Sequence, residues 1–311
     1  MTKTINKTEK SRKAAVSGRF RNVKKYRVSY AMIAPFTVIF LTFTVLPVVI
    51  AIILSFTNYN ILQMPKFVGW QNYTKLFFSD DIFLTGIKNT LVFAVVTGPI
   101  GYILSFILAW FVNELRPKMR AFMTLLFYAP ALAGVTYIWS LIFSGDRYGY
   151  VNSFLIGNNL IGTPIQWFSD PVYMKTAVII VVLWSSMGVG FLSLIAGLQN
   201  VDRSIYEAGA VDGIRDRFQE LWYITLPSMK GQLLFSAVMT ITSSFNIGDI
   251  VTSLCGFPSS NYTAHTIMNH LQDYGSIRYE MGYACGIAVI LFIIMIVSNR
   301  LVQNMLAKVG Q

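Results

Sequence analysis

The sequence predicts an all-α, polytopic membrane protein with six spanning helices, and three observations predict it. Of its 311 residues 54% are hydrophobic and only 13% charged, about half the charged share of a soluble domain. Six windows carry no charged residue: Ala31 to Pro65, Asn89 to Asn113, Ala121 to Gly145, Thr176 to Val201, Gly231 to Gly248 and Met281 to Asn299. A hydrocarbon core of about 30 Å needs about 20 apolar residues of helix, which each window supplies once a flanking residue or two is allowed. The windows are also long continuous apolar runs, not the short alternating segments of a membrane barrel. In lipid, then, helices must satisfy the backbone.

The net charge of +11 would suit a nucleic-acid binder, but its distribution is that of a topology signal. With the N-terminus in the cytoplasm, nineteen of the 25 lysines and arginines fall on inner segments, ten of them in a basic tail over 1–29. The positive-inside rule then makes both termini cytoplasmic, the second through a tail over 304–311. Orientation and attraction to anionic lipid account for the basic tail without nucleic acid. The apolar run after it is more than twice the length of a secretory h-region, so it reads as a retained helix.

Between the tails, 30–303 reads as one six-helix domain. The first span holds Pro35 and Pro47 and leaves the membrane at Thr57 to Asn60, before FVGWQNY (Phe67 to Tyr73), whose aromatic rings suit an interfacial turn. NELRPKMR (Asn113 to Arg120) closes the second span as a basic hairpin on the inner side. Pro130 in the third span frees a backbone carbonyl, so that helix is expected to face the bundle interior. The segment Ser144 to Lys175 is rich in Gly, Asn and Pro and predicts turns with one short interfacial helix, too little for a separate domain. Gly188 and Gly190 in the fourth span permit close helix approach. Cys255 and Cys285 flank the last outer loop, but Cys285 should lie about a turn deeper than Cys255, which disfavours a bridge.

The most polar interior stretch is 202–227. Nine charged residues, four basic and five acidic, lie between Asp202 and Lys230, flanked by apolar spans. Asp202 can cap a first short helix and Gly213 can stop it after Asp212. A second helix is expected from about Ile214 to Tyr223 with Phe218, Leu221 and Trp222 on one face, and Pro227 suits the first turn of the fifth span. With no net positive charge, such an elbow suits a protein partner better than an anionic bilayer.

The order Glu207-Ala208, Asp212-Gly213 and Ile224-Thr225-Leu226-Pro227, with six positions from Glu207 to Gly213 and fourteen on to Pro227, resembles the EAA loop of ABC importer permeases. Ser55-Phe56-Thr57, the FVGWQNY stretch, Lys88-Asn89-Thr90, Gly197-Leu198-Gln199 and Gly282-Tyr283-Ala284 resemble the carbohydrate-uptake branch, related to the membrane subunits of maltose transporters. Two places depart from the pattern. Ala208-Gly209 replaces the usual Ala-Ala, loosening the helix by about 1 kcal/mol, and Cys255-Gly256-Phe257-Pro258 stands where many relatives have Gly-Gly-Pro.

The resemblance implies a type I ABC importer permease fold and a heterodimer with a second permease. It further implies two copies of a cytoplasmic ATPase, an extracytoplasmic solute-binding protein and a carbohydrate substrate. The loop would dock as a coupling helix into the ATPase, with Glu207, Ala208, Gly209 and Asp212 at the contact, Glu207 meeting a basic residue, Gly213 letting the elbow turn and Pro227 starting the fifth span. A ligand-driven switch needs differential contacts in its two states, and this is the sizeable inner surface available to make them. The chain has no G-x-x-x-x-G-K-[ST] phosphate loop, so ATP and Mg are expected on the partner subunits, with no catalytic residue or cofactor here.

For the substrate path the expected residues are Asp249, Asn246, Phe245, Trp184, Tyr137 and Trp139. Asp249 reads either as a snorkelling carboxylate or as a group that binds sugar hydroxyls, and the aromatics either as packing or as stacking platforms. His265 and His270 are five apart, the wrong spacing for a shared metal on one helical face, and read as ordinary outer-loop residues. Two rival readings stay open: an importer for another solute, such as a glycerophosphate or polyamine, and a membrane sensor or scaffold.

Overall fold

The computed structural model describes residues 26–132 and 136–307. Most of the expected basic tail (1–25) and the last residues of the second tail (308–311) lie outside the described residues. The chain divides into two units, one ending at Leu54 and one beginning at Ser55.

The described part of the first unit is one long helix, α1 (Arg27–Leu54). It starts three residues inside the expected tail and ends well short of Pro65. Asn58, Asn60 and Pro65 instead build a turn closed by the hydrogen bond from Lys66 N–H to Asn58 Oδ1. A π-helical turn over Leu41–Val45 interrupts α1 between its two prolines, as expected where proline removes a donor from the ladder. None of its residues is buried within the structure.

The second unit is a helical bundle: α2 (Gln71–Phe78), α3 (Asp81–Asn113), α4 (Pro117–Leu132), α5 (Thr136–Ile142), α6 (Tyr150–Gly157), α7 (Pro171–Ser185), α8 (Val189–Gln199), α9 (Arg203–Val211), α10 (Arg217–Glu220), α11 (Lys230–Phe245), α12 (Gly248–Cys255), α13 (Ile267–Gln272) and α14 (Met281–Ala307). Among the described residues four helical stretches are long and apolar enough to cross a membrane, or six when α4 with α5 and α11 with α12 each count as one broken span. The expected six spans are reached with each bent pair counted as one span, and those two are not continuous helices. The fifth turns by 42° near Asn246 and continues to Cys255, beyond the expected end at Gly248.

Helix starts follow local chemistry. Asp80 accepts from Phe83 N–H at 2.9 Å, Asp170 from Val172 N–H ahead of Pro171, and Asp202 from Ser204 N–H, as N-cap carboxylates do. Thr266 and Asn269 form a capping box on α13.

The central helix is α3, which packs against α8 and α11. Small residues set close approaches around it, between α8 and α11 and between α3 and the end of α7. A methyl group on Gly190 would come within 2.9 Å of Ser236 Oγ on α11, and one on Gly101 within 3.0 Å of Ser186. Gly188 lies instead in the break between α7 and α8. Cys255 and Cys285 are free thiols.

Candidate functional site

Two features of the second unit stand apart from ordinary packing: an elbow at one end of the bundle, and a cleft where helices break. The elbow begins with α9, and its stop is a Schellman motif. Ile214 N–H bonds to Gly209 O at 2.9 Å, Gly213 N–H bonds to Ala210 O at 3.3 Å, and Gly213 takes φ +95°. Only glycine enters that left-handed region without strain. The second helix starts at Arg217, not Ile214, because 214–216 are used in closing this motif and in the Arg215 N–H to Gln219 Oε1 bond. A π-helical turn over Leu221–Thr225 and a short helical turn over Leu226–Ser228 follow. Pro227 lies in that short turn, and Met229 separates it from α11. The proline thus precedes the fifth span by a break; hydroxyls of Thr225 and Ser228 cover the Glu220 and Ile224 carbonyls.

Within the elbow Glu207, Ala208, Asp212 and Gly213 are exposed and Gly209 is buried. Glu207 pairs at 3.4 Å with Arg203 one turn earlier, an exposed pair worth a few tenths of a kcal/mol. A methyl group on Gly209 would fall 2.6 Å from Ile224 Cδ1, so the departure from Ala-Ala leaves room for that side chain. Tyr206 Oη meets Thr225 Oγ1 at 2.8 Å, and Arg217 bridges Glu114 at the end of α3 (3.1 Å) and Glu220 (3.2 Å). These contacts hold the inner face of the elbow. Its outer face shows Val211, 88% exposed, between charges, while Phe218, still 68% exposed, sets its ring against Trp110 of α3 at 5.8 Å.

The cleft lies where two helix breaks meet, at Ser186–Gly188 and at Asn246–Ile247, beside Pro130 and Ala131 of α4 and Thr136 of α5. Its two adjoining parts hold about 120 and 350 Å³ and share Ser185, Ser186, Thr240 and Ser243. Broken helices are tolerated at membrane depth where they line such a cavity. Ser186, Thr240 and Ser243 each donate to a carbonyl of their own helix, which leaves their lone pairs for a ligand to use. No residue lining either part carries a formal charge.

Of the six residues expected on a substrate path, Asn246 lines this cleft. Phe245 is buried in an apolar cluster with Phe83, Tyr283 and Ile287. Trp139 and Trp184 pack edge to face at 5.3 Å, Tyr137 is exposed, and Asp249 is exposed in the first turn of α12. Ser185, Ser186, Thr240 and Ser243 line the cleft outside that expected set; their sequence signal is the Ser-Ser pair and the TITSSF run (Thr240 to Phe245) inside charge-free windows.

His265 and His270 are not outer-loop residues of the ordinary kind: both are 2% exposed and join a buried network. His270 Nε2 lies 3.0 Å from Asp80 Oδ2, which also accepts from Tyr283 Oη at 2.7 Å. Because the carboxylate needs a donor, the proton of His270 sits on Nε2, and Nδ1 accepts from His265 Nε2 at 3.4 Å. Burial pushes His265 down to about 4 and lowers His270 as well, so both rings are neutral near pH 7. Burial acts to raise Asp80, but hydrogen bonds from Phe83 N–H and Tyr283, with His270, hold it below the ordinary carboxylate value. Among the described residues no group of three His, Cys, Asp or Glu could hold a metal ion.

Comparison with known proteins agrees with this architecture. Residues 99–311 match the family described as the binding-protein-dependent transport system inner membrane component. The probable ABC transporter permease protein YesP of Bacillus subtilis is 30% identical over 284 residues, covering 88% of this chain and 89% of that protein. The lactose transport system permease protein LacF of Rhizobium radiobacter is 32% identical over 71% of this chain and 74% of its own length. A crystal structure of a bacterial ABC transporter involved in import of the acidic polysaccharide alginate shares the fold, with a TM-score of 0.71 at 24% identity over 94% of this chain and 99% of that one. With a family match over two thirds of its length and a full-length relative at 30% identity, the chain belongs to the inner-membrane permease components of binding-protein-dependent ABC transport systems.

Proposed function

We propose that this chain is one of two permease subunits in an ATP-driven importer for a carbohydrate. The observation that carries the proposal is the elbow, held to the bundle on one face while Glu207, Ala208, Asp212 and Val211 stand exposed on the other. In this reading two copies of a cytoplasmic ATPase bind ATP and Mg, and the exposed face of α9 docks on one of them. Closure of the ATPases then moves α11 through the joint at 221–229. Both termini lie in the cytoplasm with the elbow, and a solute-binding protein delivers substrate to the opposite face. The alginate transporter has been solved in complex with an alginate-pentasaccharide-bound periplasmic protein, which supports that arrangement.

The substrate class rests on relatives and on the cleft. Relatives include permeases named for lactose, arabinooligosaccharides, and trehalose with maltose. A hydroxyl-lined cleft without charge suits a neutral polyhydroxy solute; a glycerophosphate would leave its phosphate without a cation and a polyamine its ammonium groups without carboxylates. The substrate path therefore runs past Asn246, Ser243 and Ser186, with Asp249 further along α12.

Replacing Glu207 with Lys tests the coupling role. Substrate uptake by cells carrying the assembled transporter should fall at least tenfold, while the variant still inserts and the complex still hydrolyses ATP. Undiminished uptake by Glu207→Lys would remove α9 from the mechanism.

A further inference from the structure

We propose that the groove between α4 and α8 is a second solute site, on the way out of the cleft, in which Arg120 donates hydrogen bonds to sugar hydroxyls. The inference rests on the carbohydrate-importer reading above and goes past it, because none of the cleft residues named there lines this groove. The groove holds about 490 Å³. One wall is Arg120, Thr124 and Tyr128, spaced by four and so on one face of α4; the other is Leu192, Ile195 and Gln199, spaced by three and four on one face of α8.

The groove continues the cleft. The cleft wall includes Ala131 of α4 and Val189 of α8, and three positions, just under one helical turn, separate these from Tyr128 and Leu192. At its far end the groove reaches the elbow. Gln199 is the last residue of α8, three before the Asp202 cap of α9, and Arg120 stands in the first turn of α4, just after Glu114, which pairs with Arg217. A solute leaving the cleft toward the elbow end has this groove before it.

The two parts offer complementary chemistry. In the cleft the hydroxyls of Ser186, Thr240 and Ser243 donate to carbonyls of their own helices, so they present acceptors to a sugar. In the groove the single charged lining residue is Arg120, and no carboxylate lines it. A guanidinium has five N–H donors and no acceptor. One N–H of Arg120 goes to the Leu115 carbonyl at 3.3 Å, and its Nε is buried without a hydrogen-bond partner among the described residues. An unmet donor costs free energy, which a turn of the side chain toward a ligand recovers. A hydroxyl both donates and accepts, so a sugar that gives its protons to the cleft offers its lone pairs to Arg120. One guanidinium is a weak hold, as a site of passage requires.

The test uses inside-out membrane vesicles holding the assembled transporter, with single cysteines placed in a chain that carries Cys255→Ser and Cys285→Ser. A membrane-impermeant maleimide should label Leu125→Cys and Ile195→Cys in the groove and Val189→Cys in the cleft. Lactose, maltose, trehalose and arabinotriose, added together, should slow labelling at all three. Arg120→Gln should raise the sugar concentration that half-protects the groove cysteines about tenfold, as loss of a hydrogen bond to a charged group does, without changing that for Val189→Cys or the labelling rates in the absence of sugar. Arg120→Lys, which keeps the charge but not the fork, should fall between. Groove cysteines that stay unlabelled overturn the proposal and leave the carbohydrate reading standing, because lipid or another subunit then covers the groove. Protection of Val189→Cys alone also overturns it, as does protection of the groove that Arg120→Gln leaves unchanged. If the sugars protect none of the three, the carbohydrate reading fails and this inference with it.

Discussion

The two ends of the bundle are built by opposite means. Around Asp80 the polar groups are buried and shared among distant segments: Asp80 joins His270 and Tyr283, Asn89 Nδ2 donates to the carbonyls of Tyr262 and His265, and Thr90 Oγ1 accepts from Ile267 N–H. Asn269 adds bonds to Gly248 O and Thr252 Oγ1. At the elbow the ion pairs are exposed, Arg203 with Glu207 and Arg217 with Glu114 and Glu220, and one part-buried hydrogen bond joins Tyr206 to Thr225. Buried, fully satisfied networks fix one arrangement, whereas exposed pairs contribute little and leave a segment free to be repositioned by a partner. The difference assigns rigidity to one end and response to the other.

The sharpest way to break that comparison is at Asp80. Asp80→Ala removes an N-cap and strands the buried donors of His270 and Tyr283, which should destabilise the purified protein by about 4 kcal/mol in denaturant unfolding. A loss below about 1 kcal/mol would mean the network is ornament.

The same end should weaken in acid. His265 titrates near 6.5 when unfolded and at about 4 when folded, so between those values the unfolded chain binds more protons. Stability is complete above about pH 6.5 and declines as pH falls toward 4, by up to about 3 kcal/mol for this residue. Thermal melts across that range should show the slope, and His265→Gln should flatten it.

At the elbow the effects are smaller. Arg217→Ala loses two exposed pairs and should cost less than about 1 kcal/mol, leaving the contact of Phe218 with Trp110 as a tie between the elbow and α3. A greater loss in the same unfolding assay would show the elbow to be as rigid as the Asp80 end. Smallest of all is Gly209→Ala: alanine gains about 1 kcal/mol of helix propensity, offset by displacement of the flexible Ile224 methyl. The net change should fall within about 0.5 kcal/mol by thermal melting.

The spans were legible because lipid imposes length and apolarity on sequence, and the elbow's first helix because its cap at Asp202 and stop at Gly213 are local. The breaks were not. Nothing local in Ser186 to Gly188 or Asn246 to Ile247 requires a turn; the cleft between α7, α8, α11 and α12 decides it. Asp80, His265, His270 and Tyr283 are separated by up to 203 positions, so nothing local marks the two histidines as members of a buried network. For the cleft, the aromatic residues Trp139 and Trp184 pack on each other, while the serines and threonines that line it carry no local signal until the helices are packed.

Hydrogen exchange on the chain alone and in the assembled transporter tests the contrast between the ends most directly. Amides over 203–213 should exchange at least tenfold more slowly once the ATPase subunits are bound, while those over 262–272 should already be protected and stay unchanged. Equal exchange over 203–213 in both states would contradict the account, because it would remove the proposed docking of the elbow on an ATPase.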